Sequence, residues 1–271
     1  YCHLFDPTRE MTFATSGGPT VEVPVDVAGY NYIMQNPVEE HRAKYPERKC
    51  YGSEETTGCG TRGIYYDDPE GRWMKALNRA PNGNDSVMNC IERGWRFYAE
   101  RPWAAGCFFW TGFDYRGEPN PLKYPAVDSQ FGILDYAGFP KDEAWYLKAW
   151  WTDETVLHLL PHWNLEGHEG ETVSVWAYSN SDEVELKVNG KSMGRKAMPR
   201  YGHIEWDVTY QPGKLIAVGY RNGKKVKTEV VETTGNATAI ALSADRDMIK
   251  ADNTDVAVVT VALKDKKGRV V

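Results

Sequence analysis

Cysteine is scarce and unpatterned in this chain. Five are present (Cys2, Cys50, Cys59, Cys90 and Cys107), widely and irregularly spaced and with no Cys-x-x-Cys, which argues against a zinc cluster or a dense disulfide framework. Buried free thiols are the plain reading. An excess of basic charge is missing too. The 32 Lys and Arg against 38 Asp and Glu leave a net charge of −6, which argues against a nucleic-acid partner. No apolar run reaches the roughly 18 residues of a membrane-spanning helix. Residues 1–11 carry no basic stretch leading into an apolar one, so no secretory signal is expected within the chain. Gly58-Cys-Gly60 lacks the lysine of a phosphate loop, and Ser53 lies outside any Gly-x-Ser-x-Gly turn. His158 and His162 are spaced like helical metal ligands, but Pro161 between them breaks a helix and favours packing at a domain junction. No metal site is therefore assigned. What the chain has in quantity is aromatic rings, with 10 Trp and 16 Tyr in 271 residues. Such faces fill cores and stack on flat ligands, sugars included.

Residues 1–151 read as short apolar strands alternating with helices. Strands are expected at Met11–Thr15, Val25–Tyr32, Lys49–Ser53 and Gly106–Phe113. Apolar residues three and four apart predict helices over Ser86–Glu100, with Ser86 as N-cap, and over Lys141–Trp151. That alternation means parallel β/α units. Beyond Trp151 the period changes to two, with strands at Thr172–Tyr178, Glu183–Val188, His203–Tyr210 and Lys214–Tyr220. Asn189-Gly190 and Asn222-Gly223 are hairpin-turn pairs, and together these features predict an antiparallel sandwich. Ala239–Leu242 and Val256–Leu263 open a second pattern of the same kind, too short to complete a domain of about 100 residues.

Four segments fall at strand ends or in the loops that follow: Gly29-Tyr-Asn-Tyr32, Gly52-Ser-Glu-Glu55, Thr61-Arg-Gly63 and Trp110-Thr-Gly-Phe-Asp-Tyr-Arg-Gly-Glu118. In a β/α barrel the C-terminal strand ends converge on one catalytic mouth. A carboxylate (Glu54), a phenol (Tyr32), an indole (Trp110) and further acids (Asp114, Glu118) are parts suited to a sugar. The carboxylate can attack an anomeric carbon, the phenol can orient it, and the indole can stack on a pyranose face. The competing interpretation makes Tyr32 and Trp110 core aromatics and Glu54 a solvated strand-end acid.

These segments, with Asp6-Pro-Thr-Arg9, Leu159-Leu-Pro-His-Trp163 and Val184-Glu-Leu-Lys-Val-Asn-Gly190, resemble glycoside hydrolase family 2, the β-galactosidase and β-glucuronidase family. The likeness runs over nearly the whole chain and is strongest to multidomain β-galactosidases of Bacteroides-type bacteria. It implies the C-terminal half of a (β/α)8 TIM barrel over residues 1–151, strands five to eight of the eight. An immunoglobulin-like β-sandwich over 152–235 and the beginning of a further immunoglobulin-like domain over 236–271 would follow. Carried across by position, Glu54 is the catalytic nucleophile, Tyr32 its hydrogen-bonding tyrosine and Trp110 the floor of the sugar subsite. Asp114 and Glu118 become candidates for sugar-hydroxyl contacts or for support behind them, and Arg62 an anchor of its loop. Glu55 should point away from Glu54, since neighbouring strand residues face opposite sides.

The family's acid/base glutamate sits in an Asn-Glu pair, and no Asn-Glu occurs in this chain. The resemblance thus implies that the second carboxyl lies in an N-terminal half outside it, and that the chain alone is inactive. It further implies a β-linked oligosaccharide substrate, no cofactor drawn from this chain, and a bacterial periplasmic or cell-surface location. Homo-oligomerisation, a β-glucuronidase or β-mannosidase specificity, and a non-catalytic carbohydrate-binding role stay open.

Overall fold

The computed structural model describes residues 1–16, 25–55, 60–66, 68, 70, 72–75, 91–119 and 122–271. A short helix α1 (Cys2–Phe5) precedes β1 (Thr12–Ser16), β2 (Val27–Asn31), α2 (Val38–Lys44), β3 (Lys49–Glu55), α3 (Ile91–Ala99) and β4 (Cys107–Phe109). The four strands form one parallel sheet in the order β1-β2-β3-β4. Parallel neighbours need crossover connections, which is why helices alternate with the strands here. One face of the sheet is covered: Ala28, Tyr30 and Cys50 pack with Val38 of α2 and with Phe97 and Tyr98 of α3. The other face carries Tyr51 and Phe108, in edge contact at 5.9 Å, and Phe108 is 68% exposed.

After β4 come the two-residue strands β5 (Tyr115–Arg116) and β6 (Asp128–Ser129), then α4 (Asp142–Trp151). The remaining strands are β7 (Leu157–Leu160), β8 (Thr172–Ser179), β9 (Glu183–Val188), β10 (Lys191–Ala197), β11 (Ile204–Thr209), β12 (Lys214–Arg221), β13 (Lys224–Glu232), β14 (Ala237–Ala244) and β15 (Val259–Asp265). Two antiparallel sheets, β10-β9-β12-β13 and β11-β8-β7, enclose a shared core of Leu159, Trp163, Val175, Leu186, Trp206 and Leu215 with their neighbours. Alternation supplies that core. In β11, Ile204, Trp206 and Val208 point inward while Glu205, Asp207 and Thr209 face water. Asn189 and Asn222 both take positive φ beside a positive-φ glycine, as two-residue hairpin turns require. β14 and β15 form a separate two-stranded sheet, and Ile240 (70%) and Leu242 (68%) stay exposed.

Several sequence expectations shift by a few residues. The strand expected over Gly106–Phe113 is ladder-paired only at Cys107–Phe109, leaving Trp110 to open a loop. Val256–Leu263 becomes Val259–Asp265. The helix expected from Ser86 is described from Ile91 onward, and its proposed cap Ser86 lies outside the described residues, as do Cys59 and Cys90. Strands β10 and β13 are polar and have no buried residue, so apolar alternation does not mark them, although the two hairpin pairs demand a partner strand after each turn.

α3 and α4 fasten the parallel sheet to the antiparallel pair. Ile91, Tyr146, Leu147, Leu160, Trp176 and Tyr178 form a third apolar cluster, across the junction. Glu92 meets His203 Nδ1 at 2.7 Å, and the His203 ring stacks on Trp176 at 3.6 Å. His158 and His162 belong to the same junction. His158 Nε2 is 2.7 Å from Asp142, and His162 Nε2 donates to the Gly63 carbonyl at 3.0 Å. His162 Nδ1 accepts from the Asn164 N–H at 3.2 Å, which assigns the neutral Nε2–H tautomer. Burial lowers its pKa below the ordinary imidazole value, ahead of the opposing pull of Gly63 and Asp142.

Trp163 is fully buried, packs edge-on to Tyr210 at 4.9 Å and donates to the Gln211 carbonyl at 3.0 Å. Trp163→Ala should cost about 3–5 kcal/mol of stability, read as a lowered denaturation midpoint in urea.

Candidate active site

β3 contains one residue more than its neighbours at its C-terminal end. Tyr30 pairs with Gly52 and the next residue, Asn31, pairs with Glu54. On the other side Gly52 pairs with Cys107, and Glu55 with Phe109. This β-bulge places two successive residues on the same face. Cys50 and Gly52 lie against the helices, since Cys50 joins their cluster and a Cβ on Gly52 would sit 2.1 Å from the Tyr98 hydroxyl. Tyr51 and Ser53 take the opposite face. Strict alternation would have returned Glu54 to the helix side. The bulge turns it instead to the open face with Ser53, and turns Glu55 inward.

Glu54 is met there by two donors from the end of β2. Tyr32 Oη donates to Oε1 at 2.5 Å and Asn31 Nδ2 to Oε2 at 3.1 Å. Ser53 Oγ donates to Asn31 Oδ1 at 2.9 Å, which settles which end of the Asn31 amide faces the carboxylate. Tyr32 adopts a left-handed backbone with φ 53°, costly for a bulky residue. It is held by its own N–H on the Glu54 carbonyl at 2.7 Å and by Asn36 Nδ2 on its carbonyl at 3.1 Å. Asn31 and Asn36 were not singled out from the sequence. Asn31 lies inside the Gly-Tyr-Asn-Tyr segment, where its one-residue distance from Tyr32 was the available signal. Nothing local marked Asn36.

Trp110 directly follows β4, donates its N–H to the Glu55 carbonyl at 2.9 Å and is 36% exposed. Its ring meets Tyr115 edge-on at 5.8 Å. Tyr115 Oη donates to Glu118 at 2.5 Å, and partial burial followed by the Glu118 carboxylate pushes that phenol upward, keeping it a donor. Glu118 is exposed on the loop beyond.

Asp114 is placed differently. It is buried, and its Oδ1 accepts from Lys141 Nζ at 2.6 Å and from the Gly132 N–H at 2.9 Å. Asp114 thus lies beneath the loop surface. Burial raises the Asp114 carboxyl even with the Lys141 ammonium drawing it back. Lys141 also donates to the carbonyls of Gly60 at 2.7 Å and Gln130 at 3.0 Å, so one ammonium laces the loop after β3 to the loop after β4. Arg62 adds a second lace, with Nε 2.6 Å from Asp135 and its guanidinium over the Phe139 ring. Burial alone would raise Asp135, but Arg62 and the N–H groups of Phe139 and Ala137 hold it below the ordinary carboxylate range. Among the described residues no group of three or more His, Cys, Asp or Glu is arranged to hold a metal.

Chemically, the site is a hydrogen-bonded carboxylate at the end of a parallel strand, with an indole just beyond the end of the next strand. A family model described as a domain of unknown function (DUF4982) matches residues 170–227, within the antiparallel sheets. The chain is 37% identical to the beta-galactosidase BoGH2A of Bacteroides ovatus, over 97% of this chain and 33% of that protein. It is 26% identical to a beta-glucuronidase of Formosa agariphila, over 98% of this chain and 27% of that protein. Among solved structures, a beta-glycosidase from Bacteroides vulgatus superposes with a TM-score of 0.82 at 29% identity, covering 99% of this chain and 38% of that one. The chain belongs to glycoside hydrolase family 2. It spans about a third of the length of the relatives it matches.

Lys141→Met should leave Asp114 as an uncompensated buried carboxyl. The expected loss is about 3–5 kcal/mol, visible as a lowered melting temperature.

Proposed function

We propose that the chain is the nucleophile-bearing part of a retaining exo-β-glycosidase acting on terminal β-galactosides. The observation that carries this reading is the Glu54 carboxylate, turned by the bulge to the open face and held by Tyr32 at 2.5 Å and Asn31 at 3.1 Å. Two donors on one carboxylate fix both oxygens, so the group approaches an anomeric carbon in one orientation. Glu54 attacks that carbon and the glycosidic bond breaks, leaving a glycosyl ester on the enzyme. A second carboxyl, about 5–5.5 Å away in a retaining enzyme, protonates the departing oxygen and then activates water. That group comes from outside these residues. Asp114 is unsuited to the task, because its Oδ1 is committed to Lys141.

Residues 1–151 fit half of a β/α barrel. The parallel sheet has helices on one face, and on the other Tyr51 and Phe108 line what would be the barrel interior. Residues 152–235 fit an immunoglobulin-like sandwich, and β14 and β15 fit the first strands of another. The galactoside preference rests on the 37% identity to the beta-galactosidase over 97% of the chain, against 35% to a putative beta-glucuronidase of Formosa agariphila over 68% of it.

In the full-length enzyme, Glu54→Gln should lower kcat by on the order of 10³-fold or more with the fold intact by circular dichroism. A 2-fluoro galactoside should label Glu54, and peptide mapping that puts the label elsewhere would reject the assignment. Trp110→Ala should depress kcat/KM about tenfold to a hundredfold, the equivalent of ~1–3 kcal/mol of ring stacking. Unchanged activity would make Trp110 a packing residue.

A further inference from the structure

The carboxylate next to the proposed nucleophile takes no part in the chemistry above, yet it is 1% exposed and hydrogen-bonded. Glu55 Oε2 accepts from the Tyr98 hydroxyl at 2.7 Å and from the Ile33 N–H at 3.1 Å. Burial, reinforced by the Glu55 charge, pushes the Tyr98 phenol far above its ordinary value, so Tyr98 remains the donor. The same burial raises the nearby Cys107 thiol to about 12, which keeps it neutral. Tyr98 reaches the carboxylate only by crossing β3 at Gly52, where any Cβ would lie 2.1 Å from its hydroxyl. One carboxylate oxygen therefore ties together the end of β3, helix α3 and the turn after β2.

Ile33 immediately follows Tyr32, the residue with the left-handed backbone whose hydroxyl contacts Glu54. Burying an ionised carboxylate is expensive, and an apolar residue of similar volume would pack the same space at lower cost. We infer that Glu55 is a positioning residue: its bonds to Tyr98 and Ile33 lock the β3 bulge and the Tyr32 turn, so that Tyr32 and Glu54 meet. This role rests on the reading of Glu54 as nucleophile. Without the Glu55 carboxylate, the Ile33 N–H and Tyr98 O–H both lose their acceptor. The turn then relaxes away from Glu54, and β3 can slip toward unbulged pairing, which would point Glu54 at the helices.

The test uses the full-length enzyme and an aryl β-galactoside, comparing Glu55→Ala, Glu55→Gln and Tyr98→Phe. Misplacement on the ångström scale costs about 100-fold in rate, so Glu55→Ala should lose that much kcat with KM within about threefold of wild type. Glu55→Gln keeps an oxygen acceptor for both donors and should recover most of the loss. Tyr98→Phe should fall between them. If Glu55→Ala does not fold, Tyr98→Phe and Glu55→Gln decide alone, since each keeps the volume of the side chain. Wild-type kcat in Glu55→Ala, or, where that variant does not fold, wild-type kcat in Tyr98→Phe, overturns the role. A 2-fluoro galactoside separates this from the underlying reading: label on a residue other than Glu54 in the wild type rejects the nucleophile. Label on Glu54 with unimpaired variants rejects only the positioning by Glu55.

Discussion

The extra residue in β3 is the constraint on which the site depends. A parallel strand with helices on one face offers side chains alternately to core and to open surface, and nothing in Gly-Ser-Glu-Glu says which glutamate faces which way. The register settles it: with Tyr30 opposite Gly52 and Asn31 opposite Glu54, Ser53 is the surplus residue. Every polar contact at the site follows from that count. Glu54 receives Tyr32 and Asn31 on the open side, and Glu55 receives Ile33 and Tyr98 on the buried side. A bulge weakens a ladder locally, and here the lost pairing is offset by side-chain hydrogen bonds from both neighbours.

The loops beyond the strands are held by a different means. Lys141 and Arg62 tie the loops through carbonyls and carboxylates. Lys141 is the more consequential of the two. Its ammonium is buried among three oxygens, where Coulomb attraction is less screened and a missing partner is costly. Arg62 is half exposed, so its bond to Asp135 contributes orientation more than energy. Ties of this kind favour preorganisation, which the hydrolysis proposed above would need around a charged transition state.

Much of this was readable from residue order. The change from mixed spacing to period two announced a parallel sheet followed by larger antiparallel ones, and Asn189-Gly190 and Asn222-Gly223 marked two hairpins. The expectation that Glu55 faces away from Glu54 agrees with the structure, although the bulge that decides which of them is open was invisible. Bulges depend on pairing across strands distant in sequence, and local pattern carries no record of that. Asn31 and Asn36 escaped for the same reason: their roles arise from the turn after β2 meeting β3. Asp114 had the right chemistry for a sugar contact, but its burial against Lys141 depends on a partner 27 residues away. Short strands were the other blind spot, since the run Cys-Phe-Phe-Trp looks like a longer strand than the three ladder-paired residues at Cys107–Phe109.

The crossing of Tyr98 over Gly52 also bears on how this sequence can drift. A methyl group at position 52 would collide with the Tyr98 hydroxyl at 2.1 Å and with its ring carbon at 2.8 Å, so even loss of the hydroxyl alone leaves no room. Position 52 is closed to every side chain while an aromatic ring occupies position 98. The two positions form a one-way lock: the ring must shrink before the glycine can grow, and shrinking the ring removes a donor from Glu55. Descendants of this chain are thus expected to keep the glycine and the aromatic as a unit, or to abandon both together with the buried carboxylate they serve.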